Sequence, residues 1–173
     1  YSGEKRQDEL IEARAKSRHA KEIQVILAGK GPLEKKYRRL AEQLPNPIVM
    51  EFYQPERLRE ILHMADLYVH TSDAEIEAMS CMEAFACGLV PVIADSPRSA
   101  TPQFALDERS LFPAGDTDAL AARIDWWIEH PEERRETERR YAEHARQYSL
   151  EASIRKTEEM FRQAIAEQRG ARA

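Results

Sequence analysis

Long apolar runs are missing from this chain. No stretch of its 173 residues approaches the ~20 consecutive apolar residues that a membrane-spanning helix needs. The opening residues carry no secretory leader pattern. Cysteine is scarce: Cys81 and Cys87 are the only two, too few for a zinc site or a disulfide scaffold. They stand six apart on one predicted helix and so face different ways. A reduced, cytoplasmic protein is the expectation. Positive charge is not in excess either. The net charge is -5, which argues against a general nucleic-acid binder. Internal repeats and low-complexity tracts are absent, and the length suits one domain with core enough to fold alone.

What is present is an alternation of strand and helix signals. Apolar, β-branched runs predict buried parallel strands near 23–28, 47–52, 67–70 and 90–94, and Ser110–Phe112 adds a short last one. Helices are expected over Glu4–Arg18, from Gly31 to about Leu44 with Pro32 near its start, and over Pro55–Met64. Leu120, Ile124, Trp127 and Ile128 form a helical stripe. Pro131 opens a further helix to about Tyr148. Leu150, Ile154, Thr157, Phe161 and Ile165 mark a final amphipathic one. The pattern predicts an α/β, Rossmann-like open parallel sheet of five or six strands with helices on both faces. Such a pattern begins with a strand, whereas this chain is helical almost at once. The expectation is a fragment whose first strand precedes Tyr1 and is absent.

The most informative stretch is Asp73–Asp95, DAEIEAMSCMEAFACGLVPVIAD. It reads as a loop, a helix over Met79–Cys87 stopped by Gly88, and a buried strand. Glu83 stands among Met82, Ala84, Phe85, Ala86 and Cys87, where a carboxylate is costly unless hydrogen-bonded. A sugar diol fits, because its two hydroxyls can donate to the two carboxylate oxygens. Glu75 lies in the loop entering the helix. Between the two acids, the helix start offers free N–H groups from Ala78, Met79 and Ser80, which favour an anion such as phosphate.

Glu75, seven intervening residues, Glu83, then AFACG and VPVIA resemble the E-x7-E signature of retaining glycosyltransferases with the GT-B fold, family 4 in particular. The wording is similar also to bacterial diacylglycerol glucosyltransferase-like members. The resemblance implies that residues 1–173 are the donor-binding C-terminal domain, with the acceptor domain missing from the N-terminal side. It implies that Glu75 contacts the donor sugar and Glu83 the ribose, while the amides between them hold the diphosphate. Lys5 matches the lysine of the family's phosphate-binding Gly-Arg-x-x-x-x-Lys element. The backbone at Phe52 and Tyr53 would hold the base. One departure stands out: the usual Gly-Phe-Gly after the first Glu is here Ile76-Glu77-Ala78.

Other candidates divide between site and scaffold. Gly29-Lys30-Gly31-Pro32 is half of a G-x-G-x-x-G; Gly31 is either a donor contact or part of a tight turn. Phe52 and Tyr53 are equally well read as packing rings. Arg98 could reach a phosphate or an acceptor, though a surface arginine is the simpler assignment. Asp116-Thr117-Asp118 matches a D-x-D metal motif in form but stands where a helix N-cap belongs. His63 and His70 lack a second ligand or nucleophile at useful spacing and are read as structural. Lys35, Lys36, Arg38 and Arg39 make a solvated helix face or a membrane-surface patch.

The expected function is transfer of a sugar, with retention, from a nucleoside-diphosphate sugar (a UDP-sugar by the resemblance) to an acceptor hydroxyl on a lipid or glycan. Lys5 and Glu75 are the catalytic candidates. No metal cofactor is expected if Lys5 and the amides neutralise the diphosphate. The fragment alone is expected to be inactive. The expected partners are the nucleotide sugar and the missing N-terminal domain, through which the protein could meet the inner face of the cell membrane; nucleic acid is not one. Two alternatives stay open: a nucleotide-sugar epimerase of the same fold, and a non-catalytic sugar-nucleotide-binding module.

Overall fold

The computed structural model describes residues 1–42 and 44–170; the remaining positions of the expected 1–173 domain lie outside the described residues. Five strands are present: β1 (Ile26–Ala28), β2 (Val49–Glu51), β3 (Leu67–His70), β4 (Val90–Asp95) and β5 (Leu111–Pro113). The α-helices are α1 (Gln7–Lys16), α2 (Glu34–Ala41), α3 (Pro55–Met64), α4 (Met79–Ala86), α5 (Thr117–Glu129), α6 (Pro131–Ala145) and α7 (Leu150–Gly170).

Every strand pair is parallel, and helices flank the strands. In β4, Val90 to Ala94 are all buried. Successive strand residues point to opposite faces, so both faces of β4 are covered. One core joins Phe85 of α4, Val92 and Ile93 of β4, Phe112 of β5, Leu120, Ile124 and Trp127 of α5, and Tyr141 of α6. A smaller core gathers Tyr1, Ile11, Val25, Leu27, Tyr37 and Met50 around β1.

The strands form two ladders where one sheet was expected. β1 pairs with β2, and β3, β4 and β5 pair in that order. No described strand joins β1 to β3. The first strand also starts later than the apolar run predicts. Ile23 still belongs to the turn leaving α1, its N–H donating to the His19 carbonyl at 3.1 Å.

The first predicted helix is interrupted. Arg6 takes a left-handed conformation, φ 49, and separates a 3₁₀ turn at Gly3–Lys5 from α1. That break lets residues 1–5 run across the ends of both ladders. The Tyr1 hydroxyl donates to the carbonyl of Leu27 in β1 at 2.7 Å. Further on, the Thr71 hydroxyl donates to the Lys5 carbonyl at 2.7 Å, and the Asp73 N–H donates to the Glu4 carbonyl at 2.8 Å. Lys5 is thereby set beside the loop that leaves β3.

Candidate functional site

The loop after β3 is held at several points. Thr71 and Ser72 are buried. The Ser96 hydroxyl donates to the Asp73 carboxylate at 2.9 Å, and Arg98 pairs with the same carboxylate, so Arg98 is a surface arginine occupied by the scaffold. Glu75 forms a parallel bridge with Ser99; its carbonyl accepts from the Ala100 N–H at 2.9 Å. The backbone of Glu75 is therefore fixed before its side chain does anything.

Ala78 caps α4 with φ 50 and ψ 46. This left-handed conformation costs an L-residue roughly 1–2 kcal/mol. It occurs where the resembling family has glycine, and the buried methyl joins the core. The turn aims the start of α4 outward. Among the described residues the N–H groups of Ala78, Met79 and Ser80 meet no acceptor, as the start of a helix requires.

These groups line an open cleft of about 480 Å³, formed by Lys5, Glu75, Ile76, Glu77, Ala78, Met79 and Ser80. The Lys5 ammonium donates to Glu75 Oε2. Burial raises the pKa of Glu75, but the Lys5 ammonium and the Ile76 N–H more than offset this, and the carboxyl ends below its ordinary value. The site thus holds a carboxylate, a cation and free amides within one cleft. A larger groove of about 520 Å³ runs along α6, lined by Leu106 and the solvated face of that helix.

Five of the expected site residues, Lys5, Glu75, Ala78, Met79 and Ser80, come together here. Glu83 does not line this cleft. It is exposed, because the apolar residues around it turn inward on the other side of α4, where Ala84 and Phe85 are fully buried. The expected cost of burying Glu83 is corrected accordingly. Glu83 sits one turn beyond Met79 and Ser80 on the same exposed face. Phe52 is 54% exposed, with the Lys30 ammonium 4.9 Å from its ring centroid; it is not a core ring. Tyr53 is half-buried. At Gly31 a Cβ would meet the Tyr1 backbone at 2.2 Å, so glycine stands there to let Tyr1 pass. Asp116 caps α5, accepting from the Ala119 N–H at 2.8 Å.

Sequence reasoning read His70 as structural and did not place it at the site. His70, at the end of β3, is buried and points toward the site: its Nε2 lies 3.9 Å from Glu75 Oε2. Its Nδ1 is 3.1 Å from the Tyr68 hydroxyl, and that hydroxyl is 2.9 Å from the Ser80 hydroxyl. Burial holds the imidazole neutral, pushing its pKa down to about 4. The one available signal was the spacing: Tyr68 and His70 share a strand face, and that face leads to Glu75.

The family model of glycosyl transferases group 1 matches residues 1–148. The chain belongs to that family. No curated protein gave a significant match in sequence comparison. Among solved structures, the catalytic domain of cholesterol-alpha-glucosyltransferase from Helicobacter pylori is 48% identical over 86% of this chain and 94% of its own, with a TM-score of 0.83. TarM of S. aureus is 20% identical, at a TM-score of 0.78. Anabaena HepE, solved in complex with UDP, is 22% identical, at 0.72. The chain spans only 33% of TarM and 42% of HepE, and these two establish the fold alone. This glycosyltransferase thus has the Rossmann-like architecture of one GT-B domain, and its Lys5–Glu75 cleft lies within the matched region.

Proposed function

We propose that the chain is the donor-binding C-terminal domain of a retaining glycosyltransferase that moves a sugar from a UDP-sugar to an acceptor hydroxyl. The observation that carries this is the Lys5–Glu75 pair at the open start of α4. A nucleoside diphosphate needs positive charge spread over two phosphates. Lys5 and the amides of Ala78, Met79 and Ser80 supply it without a metal ion. As the bond to the sugar breaks, negative charge grows on the leaving diphosphate, and these groups hold it more tightly than they hold the intact donor. Glu75 accepts from sugar hydroxyls and Glu83 from the ribose diol, with the backbone at Phe52 and Tyr53 near the base.

A strand placed between β1 and β3 would join the two ladders into the doubly wound order, whose switch point is where such sheets bind ligands. Residues 1–5 cross that point. The name of the Helicobacter pylori neighbour supports glucose as the sugar and a sterol or other lipid hydroxyl as the acceptor. It also supports retention, since UDP-glucose is itself alpha-linked. A lipid acceptor and two unpaired cysteines fit a cytoplasmic protein working at the membrane's inner face. No helix among the described residues is long and apolar enough to cross that membrane.

Calorimetry with UDP, UDP-glucose, ADP and GDP, with and without EDTA, tests this. The uridine ligands should bind and EDTA should change nothing. Absence of binding by any nucleoside diphosphate would refute the assignment.

A further inference from the structure

Glu75 has two donors aimed at one oxygen. Lys5 holds Oε2. His70 Nε2 stands 3.9 Å from the same atom, too far for a hydrogen bond, and it has no partner among the described residues. Its side chain is 4% exposed, so bulk solvent does not reach it. An orphaned buried nitrogen is destabilising and calls for an explanation.

The cleft supplies one. Lys5 is the cation of its lining. A diphosphate carries more negative charge than a single carboxylate, so a bound diphosphate draws Lys5 away. Glu75 would then keep only the Ile76 N–H, 3.2 Å from Oε1, with Oε2 unpaired. A shift of ~1 Å brings Oε2 within hydrogen-bond reach of His70. We propose that His70 is a positioning residue: when the diphosphate takes Lys5, the His70 Nε2–H takes over Glu75 Oε2 and keeps that carboxylate aimed at the donor sugar. This rests on the donor-binding role proposed above.

The neighbours of the imidazole set its tautomer. A neutral ring beside a carboxylate must present Nε2–H, not a lone pair, so its Nδ1 must accept. The Tyr68 hydroxyl is placed to donate to Nδ1 at 3.1 Å. The Ser80 hydroxyl, 2.9 Å from that of Tyr68, can in turn donate to Tyr68, since either oxygen can serve as donor. With Ser80 donating to Tyr68, the chain Ser80, Tyr68, His70, Glu75 runs in one direction and leaves Nε2–H facing the carboxylate; the opposite order, Tyr68 donating to Ser80, would place the proton on Nδ1.

Nitrogen NMR of the ¹⁵N-histidine-labelled chain reads the tautomer directly. His70 should be neutral with Nε2–H, and addition of UDP should shift its Nε2 signal as the new hydrogen bond forms. A Nδ1–H tautomer, or no response to bound UDP, would overturn the proposal. Variants read the coupling through UDP-glucose affinity. His70→Gln carries an N–H to the Nε2 position, whereas His70→Asn reaches only as far as Nδ1. His70→Asn should weaken UDP-glucose by about tenfold, the loss of one hydrogen bond to a charged group. His70→Gln should restore most of that loss. In a Glu75→Gln background, His70→Asn should add less than about twofold, as expected of residues that act through one another. Full multiplication of the two effects, or equal loss in the Asn and Gln variants, would defeat the idea. If the wild-type chain binds neither UDP nor UDP-glucose, the donor-binding reading fails; the tautomer measurement still decides whether His70 presents Nε2–H to Glu75.

Discussion

Glu75 and Glu83 carry the same charge in different settings. Glu75 is held by Lys5 in a cleft, while Glu83 projects from an open helix face. Removing each should therefore read out differently. Glu83→Gln is expected to weaken UDP and UDP-glucose alike, by about tenfold, because both carry the ribose. Glu75→Gln should weaken only UDP-glucose and leave UDP unchanged or tighter, since Lys5 is released from its pair. Calorimetry on the two variants checks this; equal weakening of UDP by both would reverse the sugar and ribose assignments. Ala78 gives a separate test of the loop. A β-branched residue fits the left-handed region badly, so Ala78→Val should lower stability by about 2 kcal/mol or more. Ala78→Gly should be close to neutral: relief of ~1–2 kcal/mol of strain is offset by about 0.8 kcal/mol of lost methyl burial and by the extra freedom of glycine in the unfolded chain. Denaturant titration of both variants measures the difference.

Elements are joined by buried polar groups as well as by apolar packing. Asp125 of α5 is 4% exposed. It accepts from the Ser17 hydroxyl and from the Arg18 N–H at 3.1 Å, tying α5 to the end of α1. Burial raises its pKa, but these donors and the Arg18 guanidinium outweigh burial and leave it below the ordinary value. A carboxyl depressed in the folded state contributes stability that is fully present above its unfolded pKa, near ~3.9. That contribution is lost as pH falls through the lower folded value. Asp125→Ala should cost about 2–3 kcal/mol near neutral pH, and less as the pH drops below ~4. Thermal melts from pH 7 to 3 test it; a constant difference would show that Asp125 acts by packing alone. The last helix behaves otherwise. In α7, Leu150, Ile154, Met160, Phe161 and Ile165 are each at least half exposed, and the helix packs chiefly on the 3₁₀ turn at Arg146–Tyr148. A lone helix is marginal in water. Truncation after Ser149 should therefore shift the melting temperature by less than about 4 °C, equivalent to ~1 kcal/mol or less.

For the molecule as a whole, the division of the strands into two ladders decides what this chain should do alone. Residues 1–5 connect the two groups with a few hydrogen bonds, and α1 packs on α5 between them. The Lys5–Glu75 cleft is built from this chain's own residues. The chain should bind UDP-glucose weakly and transfer no glucose to cholesterol. A radiolabelled transfer assay with the 173-residue chain would register any turnover, and turnover would place the acceptor site within this domain.

The strands β3 and β4, the Asp116 cap and the pairing of Glu75 with the start of α4 were legible in the order of residues, while the place of Lys5 beside them was what the family resemblance implied. Each depends on local chemistry or on a motif: apolar runs bounded by turn residues, a capping side chain, two acids at a set spacing. The exposure of Glu83 was not legible, because its apolar neighbours in sequence turn to the opposite side of α4. Nor was the reason for Gly31, which depends on Tyr1, thirty residues earlier, lying against it. His70 looked like an isolated histidine, since Lys5 and Ser80 lie far from it along the chain. Composition and periodicity by themselves determined that this protein is a parallel α/β domain with an anion-ready helix start. Only the tertiary structure decided that a neutral imidazole and an ammonium converge on one carboxylate oxygen. Burial and distance are properties of residues brought together from separate turns, and pattern along the chain does not encode them.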